Sequence, residues 1–243
     1  MSFHGTSEKS DVFFIFIMLE ILYQDEYIIA INKQHGLLVH QSPIARDASE
    51  FAIQLLRDQI GKKVFPVHRL DRKTSGVLLF AFDKDVNRLL TEQFTTKQIE
   101  KRYIAIVRGF APEEMLIDYA LYKDNGVLQE AQTLIKSMQV AEIDLPSGKH
   151  QTSRYSLIEA FPYTGRMHQI RKHLAHILNP IIGDRPHGCN KQNKLWLERF
   201  EMNTMMLHGA SIKFAHPVTN ETLFIEATVQ NEFKRVMQIL NFK

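Results

Sequence analysis

The 243-residue sequence contains one cysteine, Cys189, so no disulfide can form within the chain and no metal site can be built on thiolates alone. A reducing compartment fits this composition, and we expect a cytoplasmic protein. Long apolar runs are also lacking. The run at 12–19 (VFFIFIML) is too short to span a bilayer and has no small-residue cleavage site of a signal peptide. We therefore expect no membrane span.

A strong excess of one charge is absent too, since the net charge is +3 and the pI is near 8.9. This balance permits a polyanionic partner without requiring one. The distribution is more informative: residues 164–200 contain seven Lys/Arg and two Asp/Glu, whereas residues 111–150 contain three and seven. Such asymmetry would orient a nucleic acid toward one face. The alternative is an ordinary solvated surface.

Neither repeats nor obvious linkers interrupt the chain, which is long enough for one large domain or two small ones. Composition and periodicity predict strands and helices in turn, with helices between only some of the strands. This order favours an α+β fold with a mixed, largely antiparallel sheet. The segment 121–151 has turn signals, and we interpret it as loop and hairpin decoration. Strands are predicted at 19–23, 27–32, 101–107, 153–160, 206–214 and 222–227, and helices at 48–60, 86–94 and 231–240.

The segment 68–76 (HRLDRKTSG) places one carboxylate, Asp71, among three cationic side chains and then turns into an apolar strand at 77–82. Neighbouring positive charges favour the ionised form of an aspartate. An ionised aspartate held in a cleft can act as a nucleophile or as a base. The alternative is a surface turn stabilised by ion pairs.

A second segment, 164–176 (TGRMHQIRKHLAH), predicts a Thr-Gly turn followed by a helix rich in hydrogen-bond donors. Met167, Ile170, Leu174 and Ile177 have helical spacing and predict an apolar stripe on the core. Arg171 lies at the border of that stripe, where its side chain can reach a cleft.

The histidines of this segment, together with Asp184 and His187, allow a metal site by count alone. However, no glutamate follows the first histidine in a hydrolase pattern, and the intervening Arg and Lys would repel a cation. We expect solvated or phosphate-contacting histidines and no metal. A metal-dependent hydrolase stays open as an alternative.

Together, the two segments resemble the RluA-type family of RNA pseudouridine synthases. The resemblance extends from about residue 18 onward and leaves residues 1–17 as an N-terminal extension, with an extra strand or a membrane-contacting segment as the alternative. Within the family, the chain is most similar to the single-domain enzymes that act on transfer RNA. Further matching strings are INK at 31–33, GLLVH at 36–40, KRY at 101–103, IIGD at 181–184, HG at 187–188, LH at 207–208 and HP at 216–217.

The resemblance implies one catalytic domain over residues 18–243, with a central sheet split by an active-site cleft. It implies isomerisation of uridine to pseudouridine, a reaction without redox change that requires no cofactor. Asp71 would be the nucleophile, attacking the ribose or the uracil ring, and Arg171 would pair with it. Tyr103 would stack on the target uracil and place its hydroxyl for proton transfer from C5.

Substrate-binding roles are implied for five further residues. Ile170 would pack on the opposite face of the base, and Arg69 would occupy the place of the flipped nucleotide. His68 would support the turn or contact phosphate. Arg166 and Lys172 belong to a basic run expected to hold the RNA backbone.

The implied target is uridine 65 of transfer RNA, bound by a monomer. Large-subunit ribosomal RNA is the alternative substrate, and a non-catalytic RNA-binding protein of the same fold is the alternative class. Two residues depart from the family pattern: Gln34 replaces a proline, and Asn220 replaces a glycine at a position where Asn can also adopt positive φ.

Overall fold

The computed structural model describes residues 18–40 and 50–243. The predicted N-terminal extension and the first two residues of the helix predicted at 48–60 lie outside these ranges. The strands are β1 (Glu20–Gln24), β2 (Ile28–Lys33), β3 (Phe65–Pro66), β4 (Ser75–Ala81), β5 (Glu100–Arg108), β6 (Glu114–Asp118), β7 (Leu121–Tyr122), β8 (Leu128–Gln129), β9 (Gln132–Ile143), β10 (Ser153–Pro162), β11 (Leu207–Ala215) and β12 (Thr222–Glu226). The helices are α1 (Ala52–Ile60), α2 (Lys84–Thr95), α3 (Gln169–His176), α4 (Asn190–Phe200) and α5 (Asn231–Ile239).

One ten-stranded sheet organises the described chain, in the order β1-β2-β4-β11-β5-β10-β9-β6, with β3 beside β4 and β12 beside β11. Its pairs are antiparallel except for β4 and β11, which run parallel. That parallel pairing comprises only the residue pairs Ser75–His208 and Gly76–Gly209. The predicted α+β class and the mixed, largely antiparallel sheet are confirmed. The sheet is continuous, but its two halves meet at this short seam.

Strands β2 and β4 are buried on both faces, which explains why residues 28–31 and 77–81 are apolar without alternation. Successive side chains point to opposite faces of the sheet. Thus Ile28 and Leu79 pack with α2 on one face, whereas Ile31 and Leu78 pack with α1 on the other. A third cluster covers the other half of the sheet with residues of α3, α4 and α5.

The interpretation of 121–151 as decoration is wrong for its middle part. β9 occupies 12 residues there and pairs with β10 and β6 in the main sheet. Apolar and polar residues alternate only weakly along β9. Its polar residues are spread over both faces, and Ile135 is the one fully buried aliphatic residue in this strand. Turn residues at Asn125-Gly126 and Ser147-Gly148 dominate the local pattern instead. The hairpin of β7 and β8 and the turn near Ser147 agree with the prediction.

Two helices begin later than predicted. α1 begins at Ala52, since Phe51 is extended and bridges to Leu38. α3 begins at Gln169 rather than directly after the Thr-Gly turn, because His168 adopts a left-handed conformation at φ 56°. Met167 therefore precedes the helix and is 47% exposed, so its assignment to the apolar core stripe is wrong. Among the described helices, none has both the length and the apolar character to cross a bilayer.

Candidate active site

A cavity of about 620 Å³ opens where the loop before β4, the start of β5 and the N-terminus of α3 converge. Its volume lies in the range of roughly 300–1,000 Å³ typical of small-molecule pockets. Seven of the eight predicted site residues line it, and the eighth, Lys172, is partly buried on α3 outside the lining. The lining residues from the prediction are His68, Arg69, Asp71, Tyr103, Arg166, Ile170 and Arg171.

The position of Asp71 depends on the tight turn that follows it. The Thr74 backbone N–H donates to the Asp71 carbonyl at 3.0 Å, and the chain then enters β4 at Ser75. Gly76 has φ 114°, and a Cβ there would lie 2.1 Å from the carbonyl oxygen of Gly209. Only glycine allows this approach, which joins β4 to β11 directly beside the carboxylate-bearing loop.

Arg171 lies between two carboxylates. Its Nη1 donates to Asp71 Oδ2 at 2.8 Å, while its Nε and Nη2 donate to the two oxygens of Asp184, each at 2.8 Å. The side chains of Arg171 and Asp184 are 6% and 1% exposed, and that of Asp71 is 23% exposed. Charge-assisted bidentate bonds of this kind fix the direction of a guanidinium. Asp184 therefore aims Arg171 at Asp71, which is the carboxylate open to the cavity.

The charge states of Asp184 and Arg171 follow from their burial and from the hydrogen bonds between them. Burial opposes ionisation of Asp184, but the hydrogen bonds from Arg171 outweigh it, and the pKa of Asp184 is lowered. Burial likewise opposes the charge on Arg171, and the bonds to Asp184 and Asp71 outweigh it, so the pKa of Arg171 is raised. Both groups thus carry charge at neutral pH.

Asp184 was missed as a site residue by the sequence analysis, although its string IIGD was noted. The sequence offers only the adjacent glycine as a signal, and the structure gives its reason: Gly183 has φ 79°, and a Cβ there would lie 1.8 Å from the carbonyl oxygen of Thr204. A glycine required for such close packing indicates that the adjacent aspartate has a fixed position. The Asn193 side chain reinforces this by accepting from Gly183 N and donating to Asp184 O.

Tyr103 lies on β5 opposite Gly209, with its ring against the seam between the two halves of the sheet. Burial, followed by the negative charge of Asp71, raises the pKa of its hydroxyl above the ordinary value of a tyrosine. The phenol is therefore neutral at physiological pH. Ile170 is 7% exposed and belongs both to the cavity lining and to the core cluster, so the structure gives it both positions considered from the sequence.

His168 is a further group near the carboxylate, with its Nε2 3.7 Å from Asp71 Oδ2. Its Nδ1 forms a hydrogen bond of 2.9 Å with Nε2 of His187. Burial lowers the pKa of His168, the charge of Arg171 lowers it further, and the charge of Asp71 opposes both. A positive φ in a non-glycine residue is costly and is often found at functional sites.

His68 is occupied within the turn. Its Nε2 accepts from the Leu79 backbone N–H at 3.1 Å, and its ring stacks on Phe94 at 4.8 Å. Burial lowers the pKa of His68 to about 4, so its ring is neutral. These contacts agree with the first of the two roles considered, support of the turn. Arg69, in contrast, is exposed at the cavity and has no ion pair with another described residue.

Lys33 is fully buried behind the Asp71 loop, and no role was predicted for it from the sequence. Its Nζ donates to the carbonyls of Gln34, Leu37 and Arg72 at 2.9, 2.8 and 3.2 Å. Burial lowers the pKa of Lys33 to about 7, and the charge of Asp71 partly offsets this. Lys33 thus ties the end of β2 to the residue directly after Asp71.

The expectation of solvated histidines in α3 is wrong for His173. That ring is fully buried between Thr133 Oγ1 at 3.0 Å and the Tyr119 carbonyl at 2.9 Å, so both ring nitrogens are engaged. His176 is exposed and stacks on Tyr119. Within residues 18–40 and 50–243, no group of three His, Cys, Asp or Glu side chains is arranged to hold a metal ion.

Arg166 anchors the rim of the cavity, since its Nε donates to the Glu130 carbonyl at 2.9 Å. Lys101 lies on the same rim and donates to the Thr164 carbonyl at 3.3 Å. Burial lowers the pKa of Lys101 to about 8. These cations give the entrance a positive lining around Asp71, the one carboxylate among the described residues that line the cavity, and this suits an anionic substrate.

Comparison with known proteins agrees with this geometry. A model of the RNA pseudouridylate synthase family matches residues 27–176. A tRNA pseudouridine synthase C from Vibrio parahaemolyticus is 43% identical over 231 residues, covering 90% of this chain and 94% of the relative. One from Haemophilus influenzae is 41% identical, covering 90% and 97%. The structure of human RNA pseudouridylate synthase domain containing 4 superposes with a TM-score of 0.70 at 24% identity, covering 92% of this chain and 94% of that one.

Proposed function

Because the chain belongs to the RNA pseudouridylate synthase family, we propose that it isomerises a uridine of transfer RNA to pseudouridine at the cavity around Asp71. The observation that carries this proposal is the cavity-facing Asp71 carboxylate, held at 2.8 Å by a buried arginine within a cationic rim. The relatives named for transfer RNA are matched over nearly their full length, which supports transfer RNA as the substrate class.

The reaction requires three changes at the target nucleotide. The bond from N1 of uracil to C1′ of the ribose breaks, the base turns, and a bond forms between C5 and C1′. The proton leaves C5 and a proton is added at N1, so the product is an isomer and no electrons are exchanged with another molecule. We propose that the Asp71 carboxylate forms a bond with the ribose or the uracil while the base turns. Either route needs an oriented carboxylate, and the hydrogen bond from Arg171 fixes the direction of Asp71.

We propose that Tyr103 stacks on the uracil and relays the C5 proton. Its raised pKa disfavours a free phenolate, so the hydroxyl would accept the C5 proton only while passing on its own. Ile170 would contact the other face of the base, and Arg69, exposed at the opening, would occupy the space left by the flipped nucleotide. Arg166 and Lys172 would hold backbone phosphates outside the cavity.

Tyr103→Phe separates the two roles of this residue, because the ring remains and the hydroxyl is removed. We expect the single-turnover rate to fall by roughly 10²–10⁴, as for other acid–base groups, with RNA affinity unchanged. Quench experiments under single-turnover conditions measure the rate, and filter binding measures the RNA affinity. An unchanged rate would leave Tyr103 with a stacking role alone.

Mapping of pseudouridines in RNA tests whether the substrate is transfer RNA and whether the target is uridine 65, as proposed. Total RNA from cells with and without the gene is compared for pseudouridine, and purified protein is assayed on unmodified transfer RNA and ribosomal RNA. We expect one uridine of transfer RNA to lose its modification without the gene. Loss confined to large-subunit ribosomal RNA would overturn the substrate, and loss of neither would overturn the function.

We also propose that residues 18–243 are sufficient for catalysis. The first described contact is that of the Leu19 backbone N–H with Gln59 Oε1 at 2.8 Å, and β1 begins directly after it. Deleting residues 1–17 should leave turnover and the melting temperature within error of the full chain. A drop of several degrees would show that the removed segment stabilises the fold.

A further inference from the structure

Lys101 lies in the wall of the candidate active site, on the same strand as Tyr103. It precedes Tyr103 by two positions on β5, and side chains two apart on a strand point to the same face of the sheet. Both residues line the cavity. Arg102, between them, points to the opposite face, where it donates to Glu159 and Glu226. Lys101 and Tyr103 therefore share one wall of the cavity.

The Lys101 ammonium has one partner within the described chain. Its Nζ donates to the Thr164 carbonyl at 3.3 Å, and it forms no ion pair with a described residue. Arg102 and Arg171, in contrast, each bind two carboxylates. An ammonium carries three N–H groups, so two of those on Lys101 have no partner in the described part of the protein.

Burial makes this cation costly. It lowers the pKa of Lys101 to about 8, and no neighbouring negative charge opposes the shift. The ring of His68 gives no compensation, because it is neutral, and the charge of Lys101 adds to the lowering of its pKa. Lys101 is still mostly protonated at neutral pH. A desolvated cation without a counter-ion is stabilised by an anion that enters the cavity.

The anion that RNA offers is its phosphate. In the proposed reaction the uridine leaves the helix and its base stacks on Tyr103. Two positions along a strand span about 7 Å, a distance over which a single nucleotide connects its base to its phosphate. Lys101 is half-buried in the wall, whereas Arg69 is exposed at the opening. A phosphate of the nucleotide that enters the cavity therefore comes closer to Lys101 than the phosphates that stay in the helix.

We propose that Lys101 binds a phosphate flanking the target uridine after that nucleotide has left the RNA helix, and so stabilises the flipped state. This inference rests on the proposed function and adds a substrate-binding residue to it. Lys101 takes no part in bond breaking or proton transfer. Its contribution is to hold the nucleotide while Asp71 and Tyr103 act on it.

The first experiment compares Lys101→Met, which keeps an unbranched stem and removes the charge, with Lys101→Arg, which keeps a cation. The second-order rate constant is measured with enzyme in excess over transfer RNA and below the dissociation constant. Under these conditions the lost contact lowers the rate constant whether it weakens flipping or binding. We expect Lys101→Met to be slower by about tenfold or more, since the lost bond joins two charged groups, and Lys101→Arg to stay within a few-fold of the wild type.

The matched control is Lys234→Met, which removes the same charge from an exposed position on α5. It should react at the wild-type rate. Melting curves of all variants show whether each one is folded at the assay temperature. Equal losses in Lys101→Met and Lys101→Arg, or a wild-type rate in Lys101→Met, would overturn the proposal.

The second experiment identifies the phosphate. Each of the two phosphates that flank the target uridine is replaced in turn by an uncharged methylphosphonate, and each RNA is compared with one of otherwise identical sugar chemistry. We expect one replacement to slow the wild type about as much as Lys101→Met does. The same replacement should have no further effect in Lys101→Met, because the contact is already lost.

Effects that multiply at both linkages would show that Lys101 acts independently of these phosphates, and would overturn the inference. This result would also separate a structural role of Lys101 from a binding role, since a distorted cavity has no reason to cancel the effect of one linkage. A wild-type protein that modifies no RNA would instead overturn the proposed function, which turnover of the unmodified substrate reports separately.

Discussion

Asp71→Asn should abolish pseudouridine formation while RNA affinity stays within a few-fold of the wild type. The amide keeps the shape of the carboxylate but is not a nucleophile, and it can still accept a hydrogen bond from Arg171 through its oxygen. Asp71 is the one of the two Arg171-bound carboxylates that lines the cavity, so no second carboxylate within the described lining can replace it. Turnover is measured by tritium release from C5-labelled RNA, and affinity by filter binding.

The control for this variant is Asp85→Asn, which changes an exposed carboxylate in the first turn of α2. It should retain full turnover. If Asp71→Asn keeps more than a few per cent of the wild-type rate, Asp71 is not the nucleophile. If RNA binding collapses with it, the residue acts chiefly in holding the substrate or the fold.

Asp184→Asn should impair both stability and turnover, although Asp184 does not line the cavity. The change removes the bidentate partner of Arg171 and leaves a buried guanidinium beside an amide nitrogen. Breaking a buried ion pair in this way typically costs about 3–5 kcal/mol of unfolding free energy. Turnover should fall as well, since Arg171 would no longer be fixed in the direction of Asp71. Denaturant unfolding and single-turnover kinetics measure the two effects.

The pH dependence of stability distinguishes this ion pair from ordinary packing. The pKa of Asp184 is lower in the folded protein than in the unfolded chain, so its stabilisation is present above the unfolded pKa of about 4. This stabilisation is lost as the pH falls from about 4 through the lower pKa that Asp184 has in the folded protein. The wild type should therefore lose stability more steeply than Asp184→Asn in this acidic window. Asp144→Asn, at an exposed position, should follow the wild-type curve, and parallel curves for all three proteins would refute the pairing argument.

The sequence predicted the parts of the fold in which local pattern and tertiary environment agree. The apolar run of β4 and the helical spacing of Val86, Leu90 and Phe94 in α2 were correctly interpreted. Asn220 adopts φ 60°, as its replacement of glycine suggested. β9 was missed because both of its faces are polar at many positions, and its place in the sheet is decided by pairing with β10 and β6.

The residues of the candidate site also divide into those that the local sequence identifies and those that only tertiary packing places. Asp71 and Arg171 were found because their strings are distinctive, and the structure brings them together across 100 positions of sequence. The intervening Asp184 was missed because its role depends on packing, which no spacing rule encodes. Met167 fits a helical stripe by count, but the left-handed residue His168 separates it from α3. A single non-helical φ angle was enough to move that side chain from the core to the cavity.

The short seam between β4 and β11 has a consequence for when the site can form during synthesis. Asp71 precedes β4, whereas Tyr103 and Arg171 belong to the half of the sheet built on β5, and β11 is the strand that lies between β4 and β5. β11 comes late in the chain, at Leu207–Ala215. A nascent chain that ends before β11 leaves the inner edges of β4 and β5 unpaired, with Asp71 on one half of the sheet and Tyr103 and Arg171 on the other. Most of this polypeptide is therefore synthesised before Asp71, Tyr103 and Arg171 can come together. A fragment of residues 27–176, the part that the family model matches, would lack β11, the strand that joins the two halves of the sheet.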